Sequence, residues 1–261
     1  MDLNLEQKVV IVTGGAGGIG EAVVRQLAVE KAYPVIVDKN EAAAGRLADE
    51  LKKQNSPVGV VISDLGSAES CRQAVEEARN LSGIVYGLVN NAGTNDGVSL
   101  RDGTPEAFLK SLERNLHHYF FMAQACLPDL IKNRGAIVNI SSKTALTGQG
   151  STSGYAASKG AQLGLTREWA AEFAQSGVRV NAMIPSEVMT PQYLKWLETF
   201  PEPEKRRQEI EKKIPLGNRF TTPEEIADMT VFLLSERAGH ITGQYLHVDG
   251  GYVHLDRAMS P

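Results

Sequence analysis

The stretch Val9-Val10-Ile11-Val12-Thr13-Gly14-Gly15-Ala16-Gly17-Gly18-Ile19-Gly20 decides the fold, because it joins a short apolar run directly to a glycine-rich turn and then to a helical pattern. Glycines let the backbone turn tightly and approach a pyrophosphate, whose charge then lies at the N-terminus of the following helix. Such a turn also occurs as an ordinary tight loop. Its place between the first strand and the first helix favours a dinucleotide site.

An acidic residue supports the same interpretation. Asp38 follows the second apolar run, Val35–Val37, and lies 18 positions after Gly20. A carboxylate at this point can accept hydrogen bonds from the hydroxyls of an adenosine ribose, and it would repel a 2′-phosphate. We therefore expect NAD as the cofactor and NADP to be disfavoured, although Lys39 could still pair with a phosphate.

Short apolar runs alternate with helical stretches along the whole chain. The runs with the length and composition of buried strands are Val9–Val12, Val35–Val37, Val58–Ile62, Gly87–Val89, Ala136–Ile140, Val178–Ile184 and Tyr245–Val248. Helical spacing is found at Ile19–Glu30, Glu41–Lys53, Ala68–Leu81, Pro105–Lys132, Thr152–Gln175 and Pro223–Ser235. This alternation predicts an α/β fold, a single Rossmann-type doubly wound parallel sheet of about seven strands with helices on both faces.

The length of 261 residues, of which 42% are hydrophobic, suits one dinucleotide-binding and catalytic domain over residues 1–261. The segment Pro185–Pro215 is rich in proline and weakly periodic, so it reads as an insertion with short helices. Long excursions in such folds often close over the substrate. We therefore predict a substrate lid at residues 186–215.

Composition and charge exclude several other classes of protein. The net charge is −4 and the basic residues are scattered, so we expect no nucleic acid as a partner. Cys71 and Cys126 lack the spacing of a disulfide framework or a zinc site, so no metal is expected. No apolar stretch reaches the 18 residues of a membrane span, which predicts a soluble, cytoplasmic protein with no membrane partner.

Tyr155 and Lys159 lie four positions apart, on one face of a predicted helix. Lowering a tyrosine pKa from ~10 to ~7 takes about 4 kcal/mol. A positive charge about 4 Å away supplies energy of that order at an effective dielectric constant near 20. The pair is therefore suited to proton transfer, although in isolation such spacing more often marks a solvated helix face.

Several further motifs accompany this pair in a fixed order. They are Thr13–Gly20 with its TGxxxGxG spacing, Asn90-Asn91-Ala92-Gly93, Asn115, Ser141-Ser142, Tyr155-x-x-x-Lys159 and Asn181. With them the chain resembles the short-chain dehydrogenase/reductase family from Lys8 to Gly251. The resemblance implies that Tyr155 is the general acid/base and that Lys159 lowers its pKa and holds the nicotinamide ribose. It implies that Ser142 bonds the reacting oxygen and that Asn115 anchors a water for proton exchange.

The resemblance also implies the contacts of the cofactor. The residues expected to bind it are Gly14, Gly18, Ile19, Gly20, Asp38, Asp64, Leu65, Asn91, Ala92, Gly93, Tyr155, Lys159, Ile184, Val188 and Thr190. Within this set Asp64 would meet the adenine and Asn91 the adenosine-side ribose. One departure is Ser186, which follows Pro185 where many members of the family have glycine. It loses the freedom of positive φ, which leaves the chain path near the nicotinamide open.

The segments that flank the catalytic residues are polar, which favours a substrate with several hydroxyls over a steroid or a long acyl chain. Candidate substrate residues are Asn95, Asp96, Lys143, Gln149 and Glu187, with Trp196 as an apolar face for a sugar ring or methyl group. The stretches around Lys143, Gln149 and Glu187 resemble the L-fucose dehydrogenase branch of the family. This implies oxidation of L-fucose, or a related aldose, at C1 to the lactone.

Two other functions stay open at this point. One is a carbonyl reductase, such as a 3-oxoacyl carrier-protein reductase that uses NADPH, against which Asp38 argues. The other is a nucleotide-sensing protein without turnover, against which the intact set of catalytic residues argues. The family resemblance further implies a homotetramer or homodimer, in which the helices at Pro105–Lys132 and Thr152–Gln175 pack across a two-fold axis.

Overall fold

The computed structural model describes residues 1–256, so residues 257–261 of the predicted domain lie outside the described part. Its centre is a parallel sheet of seven strands in the order β3-β2-β1-β4-β5-β6-β7. The strands are β1 Val9–Thr13, β2 Tyr33–Asp38, β3 Gly59–Ile62, β4 Val85–Asn90, β5 Ala136–Ile140, β6 Arg179–Pro185 and β7 Tyr245–Val248. The predicted fold class is confirmed, and all seven predicted strands are present.

Helices cover both faces of the sheet. They are α1 Gly18–Val29, α2 Glu41–Lys53, α3 Ala68–Ser82, α4 Pro105–Leu112, α5 His118–Asn133, α6 Ser153–Phe173, α7 Pro191–Leu197, α8 Pro203–Glu211 and α9 Pro223–Leu234. Alternate side chains of a strand point to opposite faces. In β1, Val10 and Val12 pack with α1, α2 and α9, whereas Val9 and Ile11 pack with α3, α5 and α6. The two cores explain why the strands are largely apolar on both faces and show no regular alternation with polar residues.

One predicted helix is broken in the structure. The pattern over Pro105–Lys132 predicts a single helix, but a π-helical turn at Glu113–His117 separates α4 from α5. Within this turn the carbonyl of Asn115 accepts a hydrogen bond from Gln162 Nε2 of α6 at 2.7 Å. Periodicity missed the turn because a π-turn shifts the apolar spacing by only one residue.

The order of the strands determines where a ligand can bind. The chain runs from β1 outward to β3 and then returns to the other side of β1 with β4. In open α/β sheets the crevice at such a switch point, beyond the carboxyl ends of the strands, is the usual ligand site. Thr13 ends β1 and Asn90 ends β4, so the glycine-rich turn and the Asn91–Gly93 segment meet at this edge.

The segment predicted as a lid carries two short helices, α7 and α8. Ser186, at its start, has no positive φ, and its hydroxyl donates to the carbonyl of Asp249 at 3.4 Å. The backbone here therefore does not need the glycine that many relatives have. Within residues 1–256 no helix is both long and apolar enough to span a bilayer, and no group of three or more potential metal ligands is found.

Candidate active site

A cleft with a volume of about 420 Å³ opens at the carboxyl edge of the sheet. Its walls come from the turn after β1, the segments after β4, β5 and β6, and the start of α6 and α7. The residues that line it are Gly14, Gly17, Gly18, Ile19, Asn91, Ala92, Gly93, Ile140, Ser141, Ser142, Tyr155, Lys159, Pro185, Ser186, Val188, Thr190, Pro191, Gln192 and Tyr193. Most of the predicted catalytic and cofactor residues therefore share one site.

The glycine-rich turn has the shape needed to hold an anion against a helix end. Gly14 and Gly18 have φ of 61° and 54°, values that residues with side chains rarely adopt. No side chain caps α1 at Gly17, and a Cβ placed there would meet nothing within 4 Å. The first N–H groups of α1 are thus left for a ligand, and the turn fits a pyrophosphate.

Asn91 supports this turn. Its Nδ2 donates to the carbonyls of Thr13 at 3.0 Å and Gly14 at 3.1 Å. The hydroxyl oxygen of Thr13 in turn accepts from the backbone N–H groups of Asn91 and Ala92. The sequence interpretation gave Asn91 a contact with ribose, whereas the structure commits its amide N–H groups to the shape of the glycine turn.

Asp38 lies at the far end of the same turn. Its two carboxylate oxygens accept from the backbone N–H groups of Ala16 at 3.0 Å and Asn40 at 2.9 Å. The carboxylate therefore ties β2 to the glycine turn and fixes a negative charge at the point where β2 ends. Asp64 and Leu65 follow β3 at the same edge of the sheet, and Leu65 is buried.

Ser142, Tyr155 and Lys159 meet in the cleft. Burial raises the pKa of Tyr155 to about 12, and a hydrogen bond with Ser142 acts in the opposite direction. Burial also lowers the pKa of Lys159 to about 7. The Lys159 ammonium lies 5.4 Å from the centre of the Tyr155 ring, close enough to favour a phenolate. The arrangement can take a proton from, or give one to, a substrate oxygen in the cleft.

Ser141 and Asn115 contribute to this arrangement through side-chain hydrogen bonds to the backbone. The Ser141 hydroxyl donates to the backbone carbonyl of Lys159 at 2.9 Å, which agrees with its expected structural role. The fully buried Asn115 accepts from the Thr94 N–H at 2.7 Å and donates to the Ser111 carbonyl at 3.0 Å. Its side chain thus fixes the chain after β4 against α4.

The structure does not bring the six candidate substrate residues together at the cleft. None of the six lies among the residues that line the cleft. Asn95 bonds within its own loop, and Asp96 accepts from the Ser111 hydroxyl on α4. Gln149 is exposed, and Trp196 is 40% exposed and packs on Tyr193.

Lys143 and Glu187 differ from the other four, because they are buried and form an ion pair with each other. The Tyr193 hydroxyl, which the sequence analysis missed, donates to the second carboxylate oxygen of Glu187 at 2.7 Å. Tyr193 itself lines the cleft, so the ion pair lies directly behind one of its walls. Tyr193 lies in α7, which begins at Pro191 and has Thr190 as its N-cap. This Thr-Pro pair marks a helix start in the sequence, and it is the signal that could have placed Tyr193 here.

Ile184 also lies away from the cleft, because it is fully buried in β6 and packs on Leu163 and Ala182. Val188 and Thr190 do line the cleft, and the Thr190 methyl group lies 3.4 Å from the position of a Cβ built on Gly18. The residues predicted near the nicotinamide thus divide into two that can touch a ligand and one that supports them.

The sequence of this chain is similar to those of known reductases. The sequence profile of a family described as enoyl-(acyl carrier protein) reductase matches residues 14–253. The 3-oxoacyl-[acyl-carrier-protein] reductase FabG of Thermotoga maritima is 34% identical over 252 residues, covering 96% of this chain and 100% of the relative.

Two solved structures extend the likeness to three dimensions. The crystal structure of Cj0485 dehydrogenase is 49% identical, has a TM-score of 0.96 and covers 100% of both chains. A variant of actinorhodin polyketide ketoreductase with NADPH is 28% identical, has a TM-score of 0.90 and covers 95% of this chain and 98% of its own. The chain therefore belongs to the short-chain dehydrogenase/reductase family, NAD(P)-dependent oxidoreductases that act on CH–OH or carbonyl groups.

Proposed function

We propose that this enzyme oxidises a hydroxyl of a small polyhydroxylated substrate with NAD, and that an aldose such as L-fucose, oxidised at C1 to the lactone, is the best candidate. The observation that carries the proposal is the buried Lys143–Glu187 ion pair with the Tyr193 hydroxyl bonded to it, behind the substrate wall. Buried charges are costly unless they are fully paired. The ion pair places charged groups directly behind Tyr193 at one wall of the cleft, and a polar environment of this kind favours a substrate with hydroxyls over an apolar chain.

In the proposed reaction, Tyr155 removes the proton of the C1 hydroxyl while Ser142 donates a hydrogen bond to the same oxygen. Before the transfer, Lys159 stabilises the Tyr155 phenolate by its charge, and the proton taken from the C1 hydroxyl then converts this phenolate to the neutral phenol. Lys159 would also bind the nicotinamide ribose. A nicotinamide bound in the cleft would accept the hydride and, in its oxidised form, add a positive charge that favours the phenolate. The C1 hydroxyl of a cyclic hemiacetal is more acidic than an ordinary alcohol, which makes it a suitable proton donor to Tyr155.

We also propose that residues 186–215 act as the substrate lid. Two contacts support this role, because both connect this segment to the body of the cleft. Gln192 Nε2 donates to the Thr94 hydroxyl, which lies after β4, and Glu187 forms an ion pair with Lys143, which lies after β5. Closure of such a segment excludes water from the site and completes the contacts with the substrate.

For assembly we propose a homodimer or homotetramer, in which α4, α5 and α6 contact a second copy. Large apolar side chains stand exposed along α4 and α5, with Leu109 63%, Phe120 44% and Ile131 40% exposed. Exposed apolar surface of this kind is typical of contacts between subunits.

The cofactor preference leads to the first testable prediction. Asp38→Asn should keep the size of the side chain while it removes the negative charge at the end of β2. We expect wild type to prefer NAD, and the variant to shift the ratio of kcat/KM values toward NADP by on the order of tenfold, equivalent to about 1.4 kcal/mol. Steady-state kinetics with both cofactors measures this ratio.

Lys39 provides the control for this experiment. It is exposed next to Asp38 and is expected to meet the 2′-phosphate once the carboxylate charge is gone. Adding Lys39→Ala to Asp38→Asn should therefore reverse most of the gain with NADP. Equal efficiencies of NAD and NADP in wild type would contradict the proposed preference.

A second candidate function is reduction of a ketone or 3-oxoacyl thioester with NADPH. The relatives described above favour it over sugar oxidation, because two of them are named as a 3-oxoacyl carrier-protein reductase and a polyketide ketoreductase with NADPH. The charge of Asp38 and the ion pair behind the wall argue for the sugar. Membership in an oxidoreductase family leaves the non-catalytic nucleotide sensor without support.

One panel of substrates separates the two candidates. We expect formation of NADH with L-fucose, and with D-arabinose and L-galactose, which share its ring stereochemistry. D-Glucose should be far slower, because a hydroxyl that a polar site cannot bond costs up to about 10⁴-fold. Fast consumption of NADPH with acetoacetyl thioesters, together with no NADH from any sugar, would instead establish the reductase.

A further inference from the structure

A tyrosine that the sequence analysis did not single out contacts the side of Lys159 that faces the protein interior. Tyr119 of α5 is fully buried, and its hydroxyl donates to the carbonyl of Ile140 at the end of β5 at 2.9 Å. Lys159 Nζ donates to the same carbonyl at 2.7 Å and lies 3.4 Å from the Tyr119 hydroxyl oxygen. The three groups form a closed triangle at the base of the cleft.

The geometry assigns the direction of each hydrogen bond in this triangle. The Tyr119 proton is used on the Ile140 carbonyl, so its oxygen can only accept from the Lys159 ammonium. Burial holds the pKa of Tyr119 well above the ordinary value, so the residue stays neutral. A neutral acceptor next to an amine favours its protonated form, because the ammonium gains a hydrogen bond that the neutral amine makes less strongly.

We propose that Tyr119 is a positioning residue of the active site, whose hydroxyl fixes the Lys159 ammonium and keeps it charged beside Tyr155. The inference rests on the proposed roles of Tyr155 and Lys159 in proton transfer. It goes beyond them by placing part of the control of Tyr155 on α5, which does not line the cleft. Tyr119 itself is fully buried and is not among the residues that line the cleft.

The surroundings of Lys159 make the Tyr119 hydroxyl important. The titratable groups that face Lys159 are Tyr155 on its own helix, and Tyr119 and His118 on α5. Burial lowers the pKa of His118 to about 4, so this ring is neutral and brings no charge. Of the side chains in this group, the Tyr119 hydroxyl is the one with a hydrogen bond to Lys159 in the described part of the chain.

Gln162 ties the triangle to the π-helical turn. Its Nε2 donates to the Asn115 carbonyl at 2.7 Å. Gln162 lies three residues after Lys159 on α6, while Tyr119 lies four residues after Asn115. The contact between α6 and the turn before α5 therefore fixes the position of the Tyr119 hydroxyl relative to the Lys159 ammonium.

Tyr119→Phe tests the proposal, because it removes one oxygen and leaves the ring and the Lys159–Ile140 bond in place. Without its acceptor, Lys159 should lose its proton at lower pH, and Tyr155 should then ionise at higher pH. We expect the rising limb of log kcat/KM against pH, measured for oxidation, to move upward by about half a unit to one unit. Affinity for NADH, measured by fluorescence, should change little in comparison.

A second measurement does not depend on the substrate. With saturating NAD, the difference in tyrosinate absorbance between wild type and Tyr155→Phe reports the ionisation of Tyr155 alone. The same difference, measured between Tyr119→Phe and the double variant Tyr119→Phe/Tyr155→Phe, should show that Tyr155 ionises at higher pH. If no substrate is turned over, the proposed function fails while the inference about Tyr119 is still decided by absorbance.

Tyr86→Phe is the matched control, since Tyr86 is also a buried tyrosine whose hydroxyl donates to a backbone carbonyl, that of Leu234 at 3.1 Å. It should leave both pH profiles unchanged. If Tyr119→Phe does not fold, 4-fluorophenylalanine at position 119 fills the same space and is a poor acceptor, so it should give the same shift. A loss of rate that is equal at all pH values, or unchanged profiles, would overturn the proposal.

Discussion

Tyr155→Phe is expected to reduce kcat by at least about 10³-fold, since a positioned general acid/base contributes roughly 10²–10⁴-fold and no other group near the reacting oxygen can take its place. Ser142 keeps its hydroxyl but is far too weak an acid or base at neutral pH. The ring of Tyr155 still packs against the cleft, so NADH should bind with an affinity within a few-fold of wild type. Steady-state kinetics and NADH fluorescence measure the two effects.

The comparison needs a variant that loses a tyrosine hydroxyl elsewhere, and Tyr86→Phe provides it. This variant should retain the kcat of wild type even if its stability falls. Should Tyr155→Phe keep activity within a few-fold, Tyr155 would not be the proton-transfer residue. Equal losses of rate and cofactor affinity would instead indicate that the cleft has been distorted.

Gly20→Ala is expected to have the second large effect, on cofactor binding. A Cβ at this position would lie 2.1 Å from the Gly14 carbonyl oxygen and 2.7 Å from Asn91 Nδ2. The first atom belongs to the backbone, and the second is held by its hydrogen bonds to the carbonyls of Thr13 and Gly14. The turn itself must therefore move. Because misplaced N–H groups no longer meet a pyrophosphate, we expect the dissociation constant of NADH to rise by at least about 100-fold, or about 2.7 kcal/mol.

Gly45→Ala is the control for this variant, because a Cβ at that position of α2 meets nothing within 4 Å. In the interior of a helix the change should raise stability by about 0.5–1 kcal/mol and leave NADH binding as it is. Thermal unfolding distinguishes a displaced turn from general unfolding of Gly20→Ala. Tight NADH binding by the folded variant would show that the turn is not the pyrophosphate site.

The sequence alone predicted the fold and the general position of the site. Strands buried on both faces are largely apolar, so β5 at Ala136–Ile140 was predicted with its exact ends. The half-buried β7 at Tyr245–Val248 was also predicted with its exact ends, from a short apolar run. The glycine-rich turn was recognisable because its chemistry is local, depending on positive φ and a free helix end. Tyr155 and Lys159 were recognisable because four residues make one turn of helix.

The tertiary structure decided which side chains complete the site. Lys143 and Glu187 were each predicted to face a substrate, but they meet one another, because β5 and β6 are neighbours and their carboxyl ends converge. Asn91 holds the turn after β1, and Tyr119 reaches Lys159 across 40 positions of sequence. Such pairs have no periodicity or spacing in the chain, since the contact depends on how helices and strands pack. A sequence pattern records the requirements of one element at a time, and packing between elements determines which polar groups become partners.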